Sequence, residues 1–258
     1  MKHWFALVAL LSFSFHLHAE VVFKTVEYKE GSTTLEGLSV HDNAMQGKRP
    51  GILVVHQWKG LGDYEKKRAE MLAKLGYNVF AVDIYGKGRR FTDPKDASAE
   101  AAKYKNDRAL LRTRVNAGLA VLKKHELTDA TKVAAIGYCF GGTTALELAR
   151  SGADISGVVS FHGGLNTPTP ADAQKIKGKV LALHGADDPH VPPAEVTAFE
   201  EEMRKAKVDW ALVSYGGAVH SFTDWNAGSD NSKGSAYNEK ADKRSWEAMK
   251  TFFAELFR

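Results

Sequence analysis

Apolar and polar residues alternate along residues 21–28 and again along 34–40, on either side of Gly31-Ser32. This period of two predicts two β-strands joined by a tight turn, which together form an antiparallel hairpin. A different pattern appears at residues 51–56, where a short apolar run predicts a strand that is buried on both faces. Such strands are typical of parallel sheets, so we expect the hairpin to join a mostly parallel sheet.

From residue 51 to the C-terminus, predicted strands alternate with segments of helical periodicity. The strands fall at residues 51–56, 77–83, 132–136, 156–161, 179–184 and 209–215. The helices fall at residues 63–75, 97–124 (in one or two pieces), 141–150, 193–206 and 236–257. This alternation predicts an α/β fold in which helices cover both faces of a central sheet. Residues 86–95 and 223–234 are predicted to be exposed loops.

The first 19 residues fall outside these patterns. Lys2 precedes an almost wholly apolar run over residues 4–15, and Ala19 supplies a small residue before Glu20. This arrangement is typical of a cleaved signal peptide, and the run is too short to span a bilayer. We therefore expect residues 20–258 to form a single domain that is exported to the periplasm or secreted.

The charge balance argues against nucleic acid as a partner. Lysine and arginine total 35 against 31 for aspartate and glutamate, and the basic residues are spread along the chain. After the signal segment, no apolar stretch is long enough to predict a membrane span. We expect a monomer that acts on a small molecule.

The chain has one cysteine, Cys139, so no internal disulfide can form. A lone thiol outside the cytoplasm is open to oxidation, so it is either functional or an inert buried side chain. Cys139 lies in Gly137-Tyr138-Cys139-Phe140-Gly141-Gly142, between a predicted strand and a predicted helix. Glycines on both sides permit the sharp turn that presents a nucleophile, and the helix N-terminus favours a thiolate. The backbone N–H of Phe140 is then a candidate oxyanion donor.

Two later loops supply a base and an acid. His220 follows the last predicted strand, and Asp187 and Asp188 follow the strand before it. The order nucleophile, acid, histidine is that of α/β-hydrolases, in which the carboxylate orients the imidazole and the imidazole takes the nucleophile's proton. Only one of the adjacent aspartates can face His220. We favour Asp188, because it lies closer to Val191-Pro192, which close the loop.

The loop after the first parallel strand carries a second candidate oxyanion donor, the backbone N–H of Trp58, although core packing explains this residue equally well. His56, His162 and His184 also lie near strand ends, which raises the alternative of a metal site that includes His220. Their spacing matches no compact ligand motif. We therefore expect neither a metal nor another cofactor.

These motifs resemble those of the dienelactone hydrolase family over nearly the whole of residues 20–258. The resemblance rests on four segments, His56-Gln57-Trp58-Lys59-Gly60-Leu61 and residues 137–142, 185–192 and 218–222. It implies an α/β-hydrolase fold, a triad of Cys139, Asp188 and His220, and an oxyanion hole formed by Trp58 and Phe140. It also implies hydrolysis of esters or lactones through a thioester intermediate.

Two positions depart from the family's pattern. Members usually carry a glutamate at the position of Gln57, near the nucleophile, where it accepts the thiol proton. An amide cannot accept that proton, so Cys139 should depend more fully on His220. Members that act on dienelactone carry an arginine at the position of Asp224 and bind the substrate carboxylate with it. Because a carboxylate there would repel an anion, the sequence argues against dienelactone as the substrate.

Two classes of function remain open at this stage. The first is a hydrolase with Cys139 as nucleophile, for which esters and strained lactones are better substrates than amides because an amine leaves less readily than a thiolate. The second is a non-catalytic relative that senses thiol-reactive compounds or binds a ligand, having lost turnover with Gln57. Turnover of a small aryl ester distinguishes the two classes.

Overall fold

The computed structural model describes residues 20–258, and the predicted signal peptide lies outside them. The strands are β1 (Val21–Glu30), β2 (Thr33–Asp42), β3 (Arg49–Val55), β4 (Asn78–Val82), β5 (Thr128–Tyr138), β6 (Gly157–Phe161), β7 (Lys179–Gly185) and β8 (Trp210–Tyr215). The α-helices are α1 (Asp63–Lys74), α2 (Pro94–Asn106), α3 (Arg108–Lys124), α4 (Phe140–Arg150), α5 (Pro193–Ala206) and α6 (Glu239–Leu256). All the strands join one sheet in the order β1-β2-β4-β3-β5-β6-β7-β8.

The predicted sheet with an antiparallel hairpin at one edge is confirmed. β1 pairs antiparallel with β2 around a turn in which Gly31 has a φ of 55°, a conformation that glycine adopts without strain. β2 pairs antiparallel with β4, and every pairing from β4 through β3 to β8 is parallel. The carboxyl ends of the parallel strands therefore meet at one edge, where the loops of an α/β sheet form binding sites.

Side chains of the central strand β3 alternate between two apolar cores. Leu53 and Val55 face the core covered by α2, α3, α4 and α5, whereas Ile52 and Val54 face the core covered by α1 and α6. All four of these side chains are fully buried. Burial on both faces explains why β3 is apolar throughout instead of alternating with polar residues.

The long helical segment predicted at residues 97–124 is broken at Asp107. The backbone of Asp107 leaves the helical conformation, with φ −121° and ψ 84°, and its carboxylate accepts the N–H of Leu110 at 2.9 Å. Asp107 thus caps the start of α3, as aspartate commonly does. The break places Lys105 and Arg108 on separate helices on either side of a sharp turn.

Two other expectations need correction. The C-terminal helix begins at Glu239 and not at residue 236, because the Asn238 side chain caps it by accepting the N–H of Ala241 at 3.1 Å. The loop over residues 223–234 is not exposed throughout, since Thr223 at its start is fully buried. This threonine contributes to the site described below.

Across residues 20–258, no helix is both long enough and apolar enough to cross a membrane. Export to the periplasm or beyond depends on residues 1–19 and stays a prediction.

Candidate active site

Cys139 lies alone between the end of β5 and the start of α4. Its backbone has φ 55° and ψ −117°, in the positive-φ region that residues with a Cβ rarely adopt. Such a conformation costs about 1–3 kcal/mol and persists only where the surrounding structure holds it, most often at functional sites. The turn therefore holds Cys139 in a strained conformation between β5 and α4.

The glycines that flank this turn leave no room for a side chain. A Cβ on Gly137 would stand 1.9 Å from the carbonyl oxygen of Gly141, and a Cβ on Gly141 would stand 2.3 Å from that of Val55. Both clashes are with backbone, which cannot rotate away as a side chain can. The glycine spacing is therefore a packing requirement of the turn.

The end of β6 holds the backbone of Cys139. The N–H of Cys139 donates both to the carbonyl oxygen of Phe161 at 3.0 Å and to Nδ1 of His162 at 3.1 Å. Burial, followed by the charge of His220, holds the pKa of His162 well below its ordinary value, so the ring is neutral. With Nδ1 accepting, Nε2 donates to Oγ1 of Thr223 at 2.7 Å. His162, which the sequence analysis considered only for a metal site, thus supports the backbone of Cys139.

Thr223 links this support to the loop that carries His220. Its hydroxyl lies 2.7 Å from that of Tyr64, and its carbonyl oxygen accepts from Nη2 of Arg68 at 2.8 Å. Arg68 is itself buried and pairs with Asp242 at 2.6 Å. Sequence reasoning missed Thr223, because its only local signal is its place three residues after the histidine.

The loops after β7 and β8 bring Asp188 and His220 to Cys139. His220 Nε2 lies 3.1 Å from the Cys139 sulfur, and His220 Nδ1 lies 2.8 Å from Asp188 Oδ2. The other oxygen of Asp188 accepts the backbone N–H of His190 at 2.8 Å, which fixes the carboxylate. Asp187 is exposed and bonds to the backbone of the loop after β8. Of the two adjacent aspartates, Asp188 is the one placed against His220.

These three side chains shift one another's ionisation. Burial raises the pKa of the Cys139 thiol, but the charge of His220 and the hydrogen bond to it outweigh burial and bring the pKa below its ordinary value. Burial lowers the pKa of His220, but the Cys139 thiolate and Asp188 raise it to about 10. Burial likewise opposes ionisation of Asp188, and the bond to His220 lowers its pKa nonetheless. All three directions favour a thiolate facing an imidazolium.

A cavity of about 420 Å³ opens onto Cys139, and both residues predicted for the oxyanion hole line it. Phe140 is the first residue of α4, so its N–H is one of the donors that a helix leaves unpaired at its start. Trp58 lies in the loop after β3, where its carbonyl oxygen accepts from the Tyr85 hydroxyl at 2.9 Å. The cavity therefore offers space for a small molecule next to the sulfur and these two residues.

Gln57 is engaged by Asp224. Its Nε2 donates to Asp224 Oδ2 at 3.0 Å, and its backbone N–H donates to Oε1 of the buried Glu65 at 2.9 Å. Gln57 and Asp224 line a second cavity, of about 390 Å³, which shares Trp58 with the first. The sequence predicts that the Asp224 carboxylate repels an anionic substrate. In the structure, Asp224 is not among the residues that line the cavity of Cys139.

We expect Gln57→Glu to lower the free energy of unfolding by about 1–3 kcal/mol, because it replaces a hydrogen bond to Asp224 by repulsion between two carboxylates. Urea denaturation at neutral pH measures this change. The double variant Gln57→Glu/Asp224→Asn is the matched control, in which the new amide donates to the new carboxylate and restores stability. An equal loss in both variants would contradict this reading of the contact.

Another of the strand-end histidines, His56, hydrogen-bonds to backbone through both of its ring nitrogens. His56 is fully buried, and its Nε2 accepts the N–H of Ile84 at 3.2 Å. Burial lowers the pKa of His56 to about 4, so this ring is neutral. In the described part of the chain, no three histidine, cysteine, aspartate or glutamate side chains are grouped to hold a metal ion.

Residues 35–257 match the model of the dienelactone hydrolase family. The Caenorhabditis elegans protein K02A2.1 is 38% identical over 152 residues, which cover 57% of this chain and 94% of that protein.

Two solved structures share both sequence and fold with the chain. One is a crystal structure described as the dienelactone hydrolase-like promiscuous phosphotriesterase P91 from metagenomic libraries, which is 43% identical with a TM-score of 0.88. The match covers 93% of this chain and 100% of that one. The other, m3DLH, is 41% identical with a TM-score of 0.89, covering 92% of this chain and 99% of that one. The fold predicted from sequence is thereby confirmed.

Proposed function

Because this chain belongs to the dienelactone hydrolase family and is a carboxylic ester or lactone hydrolase, we propose that it cleaves these bonds through a thioester on Cys139. The observation that carries the proposal is the continuous line of contacts from Asp188 through His220 to the sulfur, at 2.8 and 3.1 Å. A nucleophile, a base and an orienting acid in that order are the arrangement that activates a cysteine. The 420 Å³ cavity suits a small substrate.

In the first step, the Cys139 thiolate attacks the carbonyl carbon of the ester or lactone. A C–S bond forms while the carbonyl π electrons move to oxygen, and the N–H groups of Trp58 and Phe140 donate to that oxyanion. As the intermediate collapses, the C–O bond breaks and protonated His220 gives its proton to the leaving alcohol oxygen. A thioester on Cys139 and a neutral His220 remain.

In the second step, His220 takes a proton from water as the water oxygen attacks the thioester carbon. Asp188 holds the imidazole with its proton on Nδ1, which leaves Nε2 free to accept, and it stabilises the imidazolium that forms. Collapse of the second intermediate expels the Cys139 thiolate and releases the carboxylic acid, which then loses its proton to solvent. The thiolate–imidazolium pair is restored for the next turnover.

The thioester is tested by rapid acid quenching after mixing with 4-nitrophenyl acetate, followed by mass spectrometry. We expect one acetyl group on the peptide that contains Cys139, with release of 4-nitrophenol in a burst that matches the enzyme concentration. Acetylation of a different residue during turnover would overturn the assignment of the nucleophile.

We expect the rate of Cys139 alkylation by iodoacetamide to stay high as the pH falls below about 8.5, the pKa of a free thiol. The pKa of Cys139 is lowered, so the thiolate predominates at every pH above this lowered value. The thiolate is lost only as the pH falls through the lowered pKa. His220→Gln removes the imidazolium and should move the inflection to higher pH. A wild-type inflection at the free-thiol pKa would contradict the ion pair.

The alkylation assay, combined with a measurement of ester turnover, separates the hydrolase from a non-catalytic thiol sensor. Both would carry a reactive Cys139, but only the hydrolase turns over esters. Rapid alkylation with no turnover across a panel of aryl esters and lactones would favour the sensor.

We expect Asp188→Asn to lower kcat by about 10²–10⁴-fold, because an amide stabilises the imidazolium poorly and permits the wrong tautomer of His220. Asp187→Asn is the matched control, and as an exposed substitution it should leave kcat within about twofold. Initial rates with 4-nitrophenyl acetate give both values. The reverse order of effects would assign the acid role to Asp187.

A further inference from the structure

A series of hydrogen bonds leads from a buried arginine to the backbone of Cys139. Nε of Arg68, in α1, donates to the hydroxyl oxygen of Tyr64 at 3.1 Å. That hydroxyl lies 2.7 Å from Oγ1 of Thr223, which lies 2.7 Å from Nε2 of His162. Nδ1 of His162 accepts the N–H of Cys139 at 3.1 Å. We call these contacts the Arg68 series, and the four side chains that form it are all buried.

The two ends of the Arg68 series fix the direction of the bonds between them. A guanidinium and a backbone N–H can only donate, so the Tyr64 oxygen and His162 Nδ1 both accept. Burial holds the pKa of His162 well below its ordinary value, so its neutral ring carries its one hydrogen on Nε2. With Thr223 donating to Tyr64, and Tyr64 donating to the Thr223 carbonyl oxygen at 3.3 Å, every hydrogen in the series has an acceptor.

Arg68 is held in place by contacts on several sides, so it can anchor the series. Its Nη2 pairs with Asp242 at 2.6 Å, and its guanidinium carbon lies 4.3 Å from the ring centre of Trp225. The same Nη2 donates to the carbonyl oxygen of Thr223 at 2.8 Å. Thr223 is therefore held at its carbonyl oxygen as well as at its hydroxyl.

Thr223 connects the two segments that carry the nearest contact to the sulfur. It lies three residues after His220, and it bonds to His162, whose ring packs edge-on against His220 with 5.3 Å between ring centres. His162 in turn holds the N–H of Cys139, whose backbone conformation persists only where neighbours hold it. The 3.1 Å separation between His220 Nε2 and the Cys139 sulfur thus depends on bonds made by Thr223.

We propose that Thr223 is a positioning residue for the reaction of Cys139. Its hydroxyl sets the tautomer of His162. In that tautomer Nδ1 accepts from the Cys139 backbone, which keeps the sulfur within reach of His220. Thr223 and His162 do not line the cavity that opens onto Cys139, so they act on the reaction without touching the substrate. This inference rests on the proposed function and adds to it a residue outside the triad and the oxyanion hole.

Thr223→Val tests this role, because valine keeps the shape of threonine and removes the hydroxyl. Burst kinetics with 4-nitrophenyl acetate give the acylation rate constant and the dissociation constant of the substrate. We expect the rate constant to fall about tenfold or more, because reacting groups are displaced, while the dissociation constant stays within about twofold. Thr223→Ser keeps the hydroxyl and should restore most of the rate.

A pH profile of Cys139 alkylation gives a second readout that a loss of stability would not move. Burial raises the pKa of the thiol, and the charge of His220 and the hydrogen bond to it outweigh burial, so the thiolate depends on that contact. Thr223→Val should loosen the contact and move the inflection to higher pH, whereas Thr223→Ser should leave it in place. An inflection or an acylation rate constant that Thr223→Val leaves unchanged would overturn the proposal.

Thr128→Val is the matched control. Thr128 is buried like Thr223, and its hydroxyl accepts from Asn78 Nδ2 at 2.7 Å. It begins β5, at the opposite edge of the sheet from the loops that carry the site. The control should lower the midpoint of urea denaturation, as Thr223→Val does, and leave acylation and the alkylation profile unchanged. Equal kinetic losses in the two variants would mean that Thr223 contributes only stability, which would also overturn the proposal.

Nuclear magnetic resonance of the wild type tests the tautomer without any substitution. In protein with ¹⁵N-labelled histidine, the ring of His162, assigned through bonds to its own backbone, should carry hydrogen on Nε2 and none on Nδ1. Hydrogen on Nδ1 would overturn the proposal even if esters are cleaved.

These measurements separate failure of this inference from failure of the proposed function. The expected tautomer and a shifted alkylation profile in Thr223→Val, without ester turnover by the wild type, would keep the positioning role and remove the catalytic proposal. Ester turnover by the wild type, with neither slower acylation nor a shifted profile in Thr223→Val, would do the opposite.

Discussion

Replacement of Cys139 by alanine is expected to lower kcat/KM for a small aryl ester by about 10⁴-fold or more, and His220→Ala to lower it to a similar extent. Alanine at position 139 removes the sulfur atom on which the proposed thioester would form. Alanine at position 220 removes both the proton acceptor and the charge that favours the thiolate. Because the two residues act as one unit, the double variant should be little worse than either single variant.

Circular dichroism and thermal unfolding should show that these variants remain folded, since Cys139 is only a partly buried side chain packed against one core and His220 belongs to neither core. His125→Ala is the matched control. It removes an imidazole between α3 and β5, at the opposite edge of the sheet from the loops that carry the site, and should retain nearly full activity. Losses for Cys139→Ala and His220→Ala that multiply in the double variant would mean that the two side chains act independently.

Gly137→Ala is expected to lower the free energy of unfolding by about 3 kcal/mol or more, the upper range for forcing an atom into a packed interior. The added Cβ would stand 1.9 Å from the Gly141 carbonyl oxygen, so β5 and α4 would have to move apart. That movement would also displace Cys139 from His220, and activity should fall with stability.

Gly216→Ala provides the comparison for this glycine. No atom lies within 4 Å of the Cβ that it would add, so its stability should change by about 0.5 kcal/mol or less. Urea denaturation of both variants measures the difference. A Gly137→Ala protein as stable as Gly216→Ala would show that the turn between β5 and α4 relaxes more readily than its backbone packing implies.

The position of Asp224 in the structure removes the basis of the conclusion drawn from it in the sequence. That conclusion assumed that a residue four positions after His220 faces the substrate. Asp224 instead reaches Gln57, which lies 167 positions earlier in the chain. The charges that do face the cavity come from Lys105 and Arg108, whose positions follow from the break at Asp107.

Local rules were sufficient for much of this protein. Apolar periodicity predicted the hairpin and the parallel sheet, because burial on one or two faces dictates which positions are apolar. The turn around Cys139 could be recognised from its flanking glycines. A side chain at either glycine would clash with backbone a few residues away or in the adjacent strand. His220 could be recognised because it follows the last strand in the order that this fold requires.

The tertiary structure decided what depends on residues far apart in the chain. It placed Asp188 rather than Asp187 against His220, although the two are adjacent in sequence. It also joined His162 to Thr223, which lies 61 positions later, and so connected the turn at Cys139 to the loop that carries His220. The packing of distant segments determines side-chain direction, hydrogen-bond partners and the charge that faces a cavity. The periodicity of a single segment depends only on its own burial, so it cannot predict these features.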